Sequence, residues 1–288
     1  MIVGTFGIVG LGLLGSAIAE RLLGAGHRVT GYDLDGARRT ALATAGGQSA
    51  STAGEVFATC DTVLLSLPNS DVVADVIGQI EPQLRPGMLL IDTTTGDPAA
   101  AESMGVKLAE RGVHYLDATV AGSSAEARAG NVLVMVGGQA EACESVREVL
   151  AAFAAQVAYV GPWGAGARMK LVVNLVLGLN RAVLAEGITL ADALGLERQA
   201  ALDILRASAA YSRVMDTKGQ KMLAGDFSPQ AKLSQHLKDV RLILAAAGRT
   251  GTELPLSILH RALLERAEEA GYGECDNSAI LRAFGGNQ

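Results

Sequence analysis

Aromatic residues are scarce in this chain, cysteines are scarcer still, and clusters of positive charge are missing. Phe, Trp and Tyr supply 4% of the 288 residues, so Ala, Leu and Val must fill the interior, a mix that suits close-packed helices and buried parallel strands. Three cysteines, Cys60, Cys143 and Cys275, stand far apart and odd in number. They form neither a disulfide framework nor a CxxC metal knuckle, and a reducing, cytoplasmic setting is the expectation. Four histidines, His27, His114, His236 and His260, show no metal-ligand spacing. The formal net charge of −6 argues against nucleic acid as a partner, because phosphate neutralisation needs grouped Lys and Arg. Gly, Asn or charged residues break every apolar stretch before about 18 residues, which predicts no membrane-spanning segment. The chain opens almost directly into an apolar strand, and no signal peptide is expected there.

What the chain does have is apolar residues, 49% of the total, and 35 glycines. That length suits two domains better than one. Short apolar runs at Thr5–Val9, Arg28–Tyr32, Thr62–Leu65, Met88–Ile91, Val113–Leu116, Val132–Val136 and Val157–Val160 alternate with amphipathic segments. The helical segments include Ala17–Leu23, Ala99–Arg111 and Ala140–Ala154. Near-continuous apolar runs are the pattern of strands buried on both faces of a parallel sheet, so the first half reads as a doubly wound α/β domain. After Gly161-Pro162-Trp163-Gly164-Ala165-Gly166 the period becomes helical throughout. Helices are predicted over Arg168–Leu194, Arg198–Ala207, Leu233–Ala247 and Pro255–Ala270, with Gly195, Gly225, Gly248 and Gly271 at helix ends. The division expected is 1–161 for the α/β domain and 162–288 for an all-α domain, joined by one long helix.

Gly10-Leu11-Gly12-Leu13-Leu14-Gly15 follows a predicted strand and opens a predicted helix, and Asp33 closes the next strand, 18 residues past Gly15. Alone the glycine spacing is weak; in that βαβ setting it is a Rossmann-type dinucleotide fingerprint. Gly10 makes the tight turn, Gly12 lets the backbone approach a pyrophosphate, and Gly15 lets helix and strand pack closely. The helix N-terminus, with Leu13 and Leu14 in its first turn, offers free N–H groups to the phosphates. A carboxylate at Asp33 accepts from ribose hydroxyls and repels a 2′-phosphate. Arg38 and Arg39 fall inside the following helix rather than directly after Asp33, so NAD is favoured over NADP.

Several further segments join this one to make the chain resemble the β-hydroxyacid dehydrogenase family, which includes 3-hydroxyisobutyrate dehydrogenase and tartronate semialdehyde reductase. They are Asp92-Thr93-Thr94-Thr95-Gly96-Asp97-Pro98, Leu116-Asp117-Ala118-Thr119-Val120-Ala121-Gly122-Ser123-Ser124, Gly164-Ala165-Gly166-Ala167-Arg168-Met169-Lys170, Leu237-Lys238-Asp239 and Gly271 through Ala279. The resemblance spans almost the whole chain. It implies oxidation of a small carboxylated 3-hydroxy acid, with Lys170 as general acid/base and Asn174 beside it. Leu67, Pro68, Thr95 and Lys238 would add to the cofactor site, and Ala121, Gly122, Ser123 and Ser124 would meet the substrate carboxylate. It also implies a homodimer or homotetramer built through the all-α half.

The residues carry this chemistry on their own terms. Lys170 and Asn174 are four apart on a predicted helix and share a face. A lysine can accept the hydroxyl proton if burial or a nearby cation lowers its affinity for it. Lys170 is expected in the helix's first turn, where the helix N-terminus acts in the same direction. Read by periodicity alone Lys170 is an exposed lysine and Lys238 an ordinary surface charge. The substrate loop departs from the family's Pro-Val-Ser-Gly-Gly: Ala121 lacks a hydroxyl, while Ser123 and Ser124 add two. Backbone N–H groups can still cradle a carboxylate, and the hydroxyl of Ser123 is expected to find its partner on the substrate. Two rival readings are an imine reductase, which usually lacks lysine at this position, and a catalytically silent NAD-binding module.

Overall fold

A computed structural model describes residues 4–284. Eight strands form one sheet in the order β3-β2-β1-β4-β5-β6-β7-β8. They are β1 (Thr5–Val9), β2 (Arg28–Tyr32), β3 (Gln48–Ser49), β4 (Thr62–Leu65), β5 (Leu89–Asp92), β6 (His114–Ala121), β7 (Val132–Gly138) and β8 (Ala154–Gly161). Apolar side chains bury both faces. Ile8 and Leu64 pack into one core cluster, while their neighbours Val9, Val63 and Leu65 pack into another. The strand order reverses between β1 and β4, where such sheets open a crevice at the carboxyl ends of their strands.

The helices of this half are α1 (Leu13–Gly24), α2 (Gly36–Thr44), α3 (Ala53–Thr59), α4 (Ser70–Gln79), α5 (Pro98–Ala109), α6 (Ser124–Arg128), α7 (Ala140–Ser145) and α8 (Arg147–Ala151). Three features differ from the sequence expectation. β7 runs antiparallel to β6, because the Gly122–Asn131 connection is shorter than the dozen or so residues that a parallel crossover takes. The helix expected over Ala140–Ala154 breaks at Val146 (φ −112°, ψ 8°), and Ala154 already belongs to β8. β3 has no apolar signature, being two exposed residues paired to β2.

The second half holds α9 (Ala165–Ala193), α10 (Arg198–Ala207), α11 (Arg213–Ala224), α12 (Leu233–Thr250) and α13 (Pro255–Ala267). The chain divides into compact units at Lys170/Leu171, so the start of α9 packs with the sheet unit. The core of the second unit draws on Leu184 and Ile188 of α9, Leu202 of α10, Met215 of α11, Leu237 and Val240 of α12, and Leu264 of α13. No sequence signal marked α11, whose buried face includes Lys218 and Gly219. Lys218 is accommodated there by Asp276, both of whose carboxylate oxygens lie 2.9 Å from its Nζ. Gly225 ends α11 in the left-handed region, and α12 ends at Gly251 (φ 70°), three residues past the expected Gly248.

By length and composition α9 is apolar enough to cross a membrane, contrary to the reading that its Gly and Asn residues interrupt it. Those residues lower mean hydropathy too little to matter. The helix carries buried Lys170, Asn174 and Arg181, and 44% of its most apolar stretch is buried against protein.

Candidate active site

The parallel pairing of β1, β2, β4, β5 and β6 brings their following loops to one edge of the sheet. Gly10–Gly15, Asp33, Leu67–Pro68, Thr95 and Ala121–Ser124 all lie there. At Gly10 (φ +96°) a Cβ would come within 2.2 Å of the Ser66 carbonyl oxygen, and at Gly15 within 1.9 Å of the Gly10 carbonyl oxygen. These two positions must therefore be glycine. Gly12 is different: nothing lies closer to its would-be Cβ than Arg38 Nη1 at 3.8 Å. Gly12 begins α1 with no side chain capping the helix, so the first amides of Leu13 and Leu14 remain available. An open approach before uncapped N–H groups fits the pyrophosphate of a dinucleotide.

The Asp33 carboxylate accepts from Leu11 N at 2.7 Å, tying the glycine turn to the end of β2, and from Asp35 N at 2.9 Å. Arg38 lies in α2 as expected, yet its side chain reaches back to Asp33 (3.3 Å) and Asp35 (3.5 Å). Arg39 donates to the Asp33 carbonyl oxygen at 2.5 Å and stacks over Tyr32. Leu67 N donates to Thr94 Oγ1 at 3.1 Å, which joins the loops after β4 and β5. Pro68 is exposed and Thr95 half-buried in those loops.

Lys170 is 8% exposed, and its Nζ donates to the Val120 carbonyl oxygen at 2.6 Å. The helix begins at Ala165, which places Lys170 in the second turn rather than the first. The field of the helix end, which fades beyond one turn, therefore acts on it less than the sequence suggested. Asn174 follows one turn later on the same helix and is buried. Its Nδ2 donates to Asp239 Oδ2 at 2.9 Å, an orientation set by the carboxylate's being an acceptor. Lys238 pairs with Asp239 at 3.3 Å. His236 is buried and packs beside His260 over Gly178. Burial and the Arg181 charge lower the His260 pKa to about 4, leaving it neutral near pH 7.

In the substrate loop Gly122 has φ +146°, and a Cβ there would lie 2.6 Å from Val132 Cγ1. Ser123 corrects the expectation. Its hydroxyl and Glu126 form a capping box at the start of α6: Oγ accepts from Glu126 N at 3.2 Å, and Glu126 Oε2 accepts from Ser123 N at 2.8 Å. Oγ also lies 3.0 Å from Glu126 Oε2, so a protein partner already meets it. Ser124 is buried and Ala121 ends β6.

Two buried carboxylates were not singled out from sequence. Asp92 accepts from Tyr115 Oη at 2.8 Å and Thr94 N at 2.9 Å; burial outweighs those bonds and raises its pKa to about 6. Asp117, on β6, accepts from Gly164 N and Ala167 N, and burial raises its pKa too, against the pull of those amides. Both line a cavity of about 270 Å³ with Ser70, Thr94 and Tyr115. The available signal was an Asp directly after each of two predicted apolar runs, Met88–Ile91 and Val113–Leu116. Among the described residues no group of three or more His, Cys, Asp or Glu could hold a metal ion.

A sheet with this strand order, an uncapped glycine turn and an acid just past β2 define a dinucleotide-binding fold. Residues 5–161 match the family model described as the NAD binding domain of 6-phosphogluconate dehydrogenase. Residues 164–284 match the one described as NAD-binding of NADP-dependent 3-hydroxyisobutyrate dehydrogenase. The chain is 33% identical to L-threonate dehydrogenase of Cupriavidus necator, covering 97% of this chain and 96% of that one. It is 31% identical to 2-(hydroxymethyl)glutarate dehydrogenase of Eubacterium barkeri, covering 96% and 94%. A solved 3-hydroxyisobutyrate dehydrogenase from Salmonella typhimurium matches with a TM-score of 0.90 at 28% identity, covering 98% of this chain and all of that one. The chain belongs to the β-hydroxyacid dehydrogenase family, and its activity is that of a hydroxyacid dehydrogenase binding NAD(P).

Proposed function

We propose that the enzyme oxidises a small carboxylated 3-hydroxy acid with NAD, and that Lys170 is the proton-transfer group. The observation that carries this is the burial of Lys170, with Nζ held by Val120 O at 2.6 Å on the strand that leads into the Gly122 loop. In this reading the backbone around Gly122 binds the substrate carboxylate. The Lys170 amine takes the hydroxyl proton as the C–O bond becomes a carbonyl, and returns it in the reverse direction. When bound, nicotinamide supplies the acceptor for the hydride that leaves the same carbon. With Nδ2 committed to Asp239, Asn174 keeps Oδ1 to accept from a second hydroxyl of the substrate, leaving the proton of the reacting hydroxyl to Lys170.

Threonate and 2-(hydroxymethyl)glutarate, the acids named for two relatives, each carry polar groups beyond one carboxylate and one hydroxyl. They support a substrate more polar than 3-hydroxyisobutyrate. Asp33 at the end of β2 supports NAD, since its carboxylate opposes a 2′-phosphate. A homodimer or homotetramer is also proposed, on an exposed apolar stripe formed by Val176, Val183 and Leu190 along α9 and by Leu194 just past its end.

The test is turnover of the wild type and of Lys170→Ala on a panel of 3-hydroxy acids, with each nucleotide, followed at the reduced-nicotinamide absorbance band. General acid–base groups contribute about 10²–10⁴-fold, so the variant should lose that factor in kcat while its NAD affinity stays unchanged. Wild-type turnover in Lys170→Ala would remove the lysine from the mechanism. A higher kcat/KM with NADP would overturn the cofactor preference.

A further inference from the structure

Four residues of β6 hold the beginning of α9 and the turn before it by five hydrogen bonds. The Tyr115 carbonyl oxygen accepts from Trp163 Nε1 at 2.9 Å. Asp117 Oδ1 accepts from Gly164 N at 2.9 Å, and its Oδ2 accepts from Ala167 N at 2.8 Å. Thr119 Oγ1 donates to the Gly166 carbonyl oxygen at 2.9 Å. The Val120 carbonyl oxygen then receives Lys170 Nζ. Residues 115, 117 and 119 share one face of the strand because side chains alternate, so one face carries every side chain used in the clamp.

The surroundings are shaped around this carboxylate. Asp117 is 2% exposed. A Cβ on Gly166 would lie 2.2 Å from the Asp117 carbonyl oxygen, and one on Gly137 would lie 2.5 Å from Asp117 Oδ1. Both glycines leave room for a contact that any larger residue would push apart. A carboxylate that is buried and accepts backbone N–H groups on both oxygens is rigidly held. It also satisfies amides that the start of a helix leaves without partners.

We infer that Asp117 is a positioning residue for Lys170. By fixing the first turn of α9 on β6 it sets where Nζ stands relative to the Gly122 loop, which the same strand carries. This rests on Lys170 being the proton-transfer group. Lysine has four rotatable side-chain bonds, so anchoring its backbone through a buried, bidentate acceptor is what gives its amine a defined place.

Asp117→Asn keeps the volume but turns an NH₂ toward one of the two backbone N–H groups. A displacement of the reacting group by about 1 Å can cost about 10²-fold, and a fall in kcat of that order is expected, with NAD affinity unchanged. The deciding measurement is a double-mutant cycle. In a Lys170→Ala background, Asp117→Asn should change the residual turnover by no more than about twofold. The same large loss in both backgrounds would show a general structural role and overturn the inference.

Thr119→Val keeps the shape and removes only the bond to Gly166. It should lower kcat several-fold, again only when Lys170 is present, and it provides the test if Asp117→Asn fails to fold. Full turnover in Asp117→Asn, beside an inactive Lys170→Ala, would overturn this inference alone. Full turnover in Lys170→Ala would overturn the functional reading beneath it.

Discussion

Asp33 does two things at once. Its carboxylate holds the glycine turn through Leu11 N, and it engages the half-exposed guanidinium of Arg38. In the proposed reading, the choice between NAD and NADP rests on this pair rather than on one acid. Asp33→Ser removes the charge that opposes a 2′-phosphate and releases Arg38 toward it. The ratio of kcat/KM for NAD over NADP should fall about tenfold, corresponding to about 1.4 kcal/mol. A ratio unchanged from wild type would place the selection elsewhere. Sequence position put Arg38 inside a helix and so discounted it; only the direction of its side chain shows that it reaches Asp33.

Among the elements, α6 shows how a substitution in a functional loop can answer to local structure. It is only five residues long, so its stability depends on its ends. Ser123 caps it reciprocally with Glu126. Ser123→Ala should cost about 0.5–2 kcal/mol of unfolding free energy, whereas Ser123→Gly should cost a few tenths, since glycine is tolerated at a helix N-cap. Urea unfolding should thus rank wild type above Ser123→Gly and Ser123→Gly above Ser123→Ala. Equal stability of all three would mean that the capping box contributes nothing and would free the hydroxyl for substrate. The sequence Ser-Ser-Ala-Glu did contain the capping-box spacing, Ser123 followed three residues on by Glu126. Reading it as a substrate loop hid it.

For the whole molecule, the feature that a single chain does not explain is the outer face of α9. Val183 is 64% exposed and Leu190 58%, and with Val176 they recur every seven residues, close to two helical turns. Solvent-exposed apolar side chains in a continuous row mark an interaction surface. Val183→Glu with Leu190→Glu should lower the molar mass measured by light scattering after gel filtration toward that of one chain, 29.6 kDa. An assembly of unchanged mass would exclude this face.

What the sequence determined by itself is what neighbours along the chain encode. The apolar runs of β1, β2 and β4 coincide with the strands; the glycine turn and Asp33 announce the dinucleotide fold; α10 begins and ends where its periodicity does. Each of these signals lies within a few turns or one βαβ unit. What only the tertiary structure decided involves partners far apart. Asp117 and Ala167 are 50 residues apart, and Asn174 and Asp239 are 65 apart. Lys218 inside α11 makes sense only beside Asp276. A charged residue in an apolar strand or a buried helix face reads as an inconsistency until its partner is known. Desolvating a charge is costly alone and tolerable when hydrogen-bonded, so the meaning of Asp117 and Lys218 lies in a contact that no local pattern specifies.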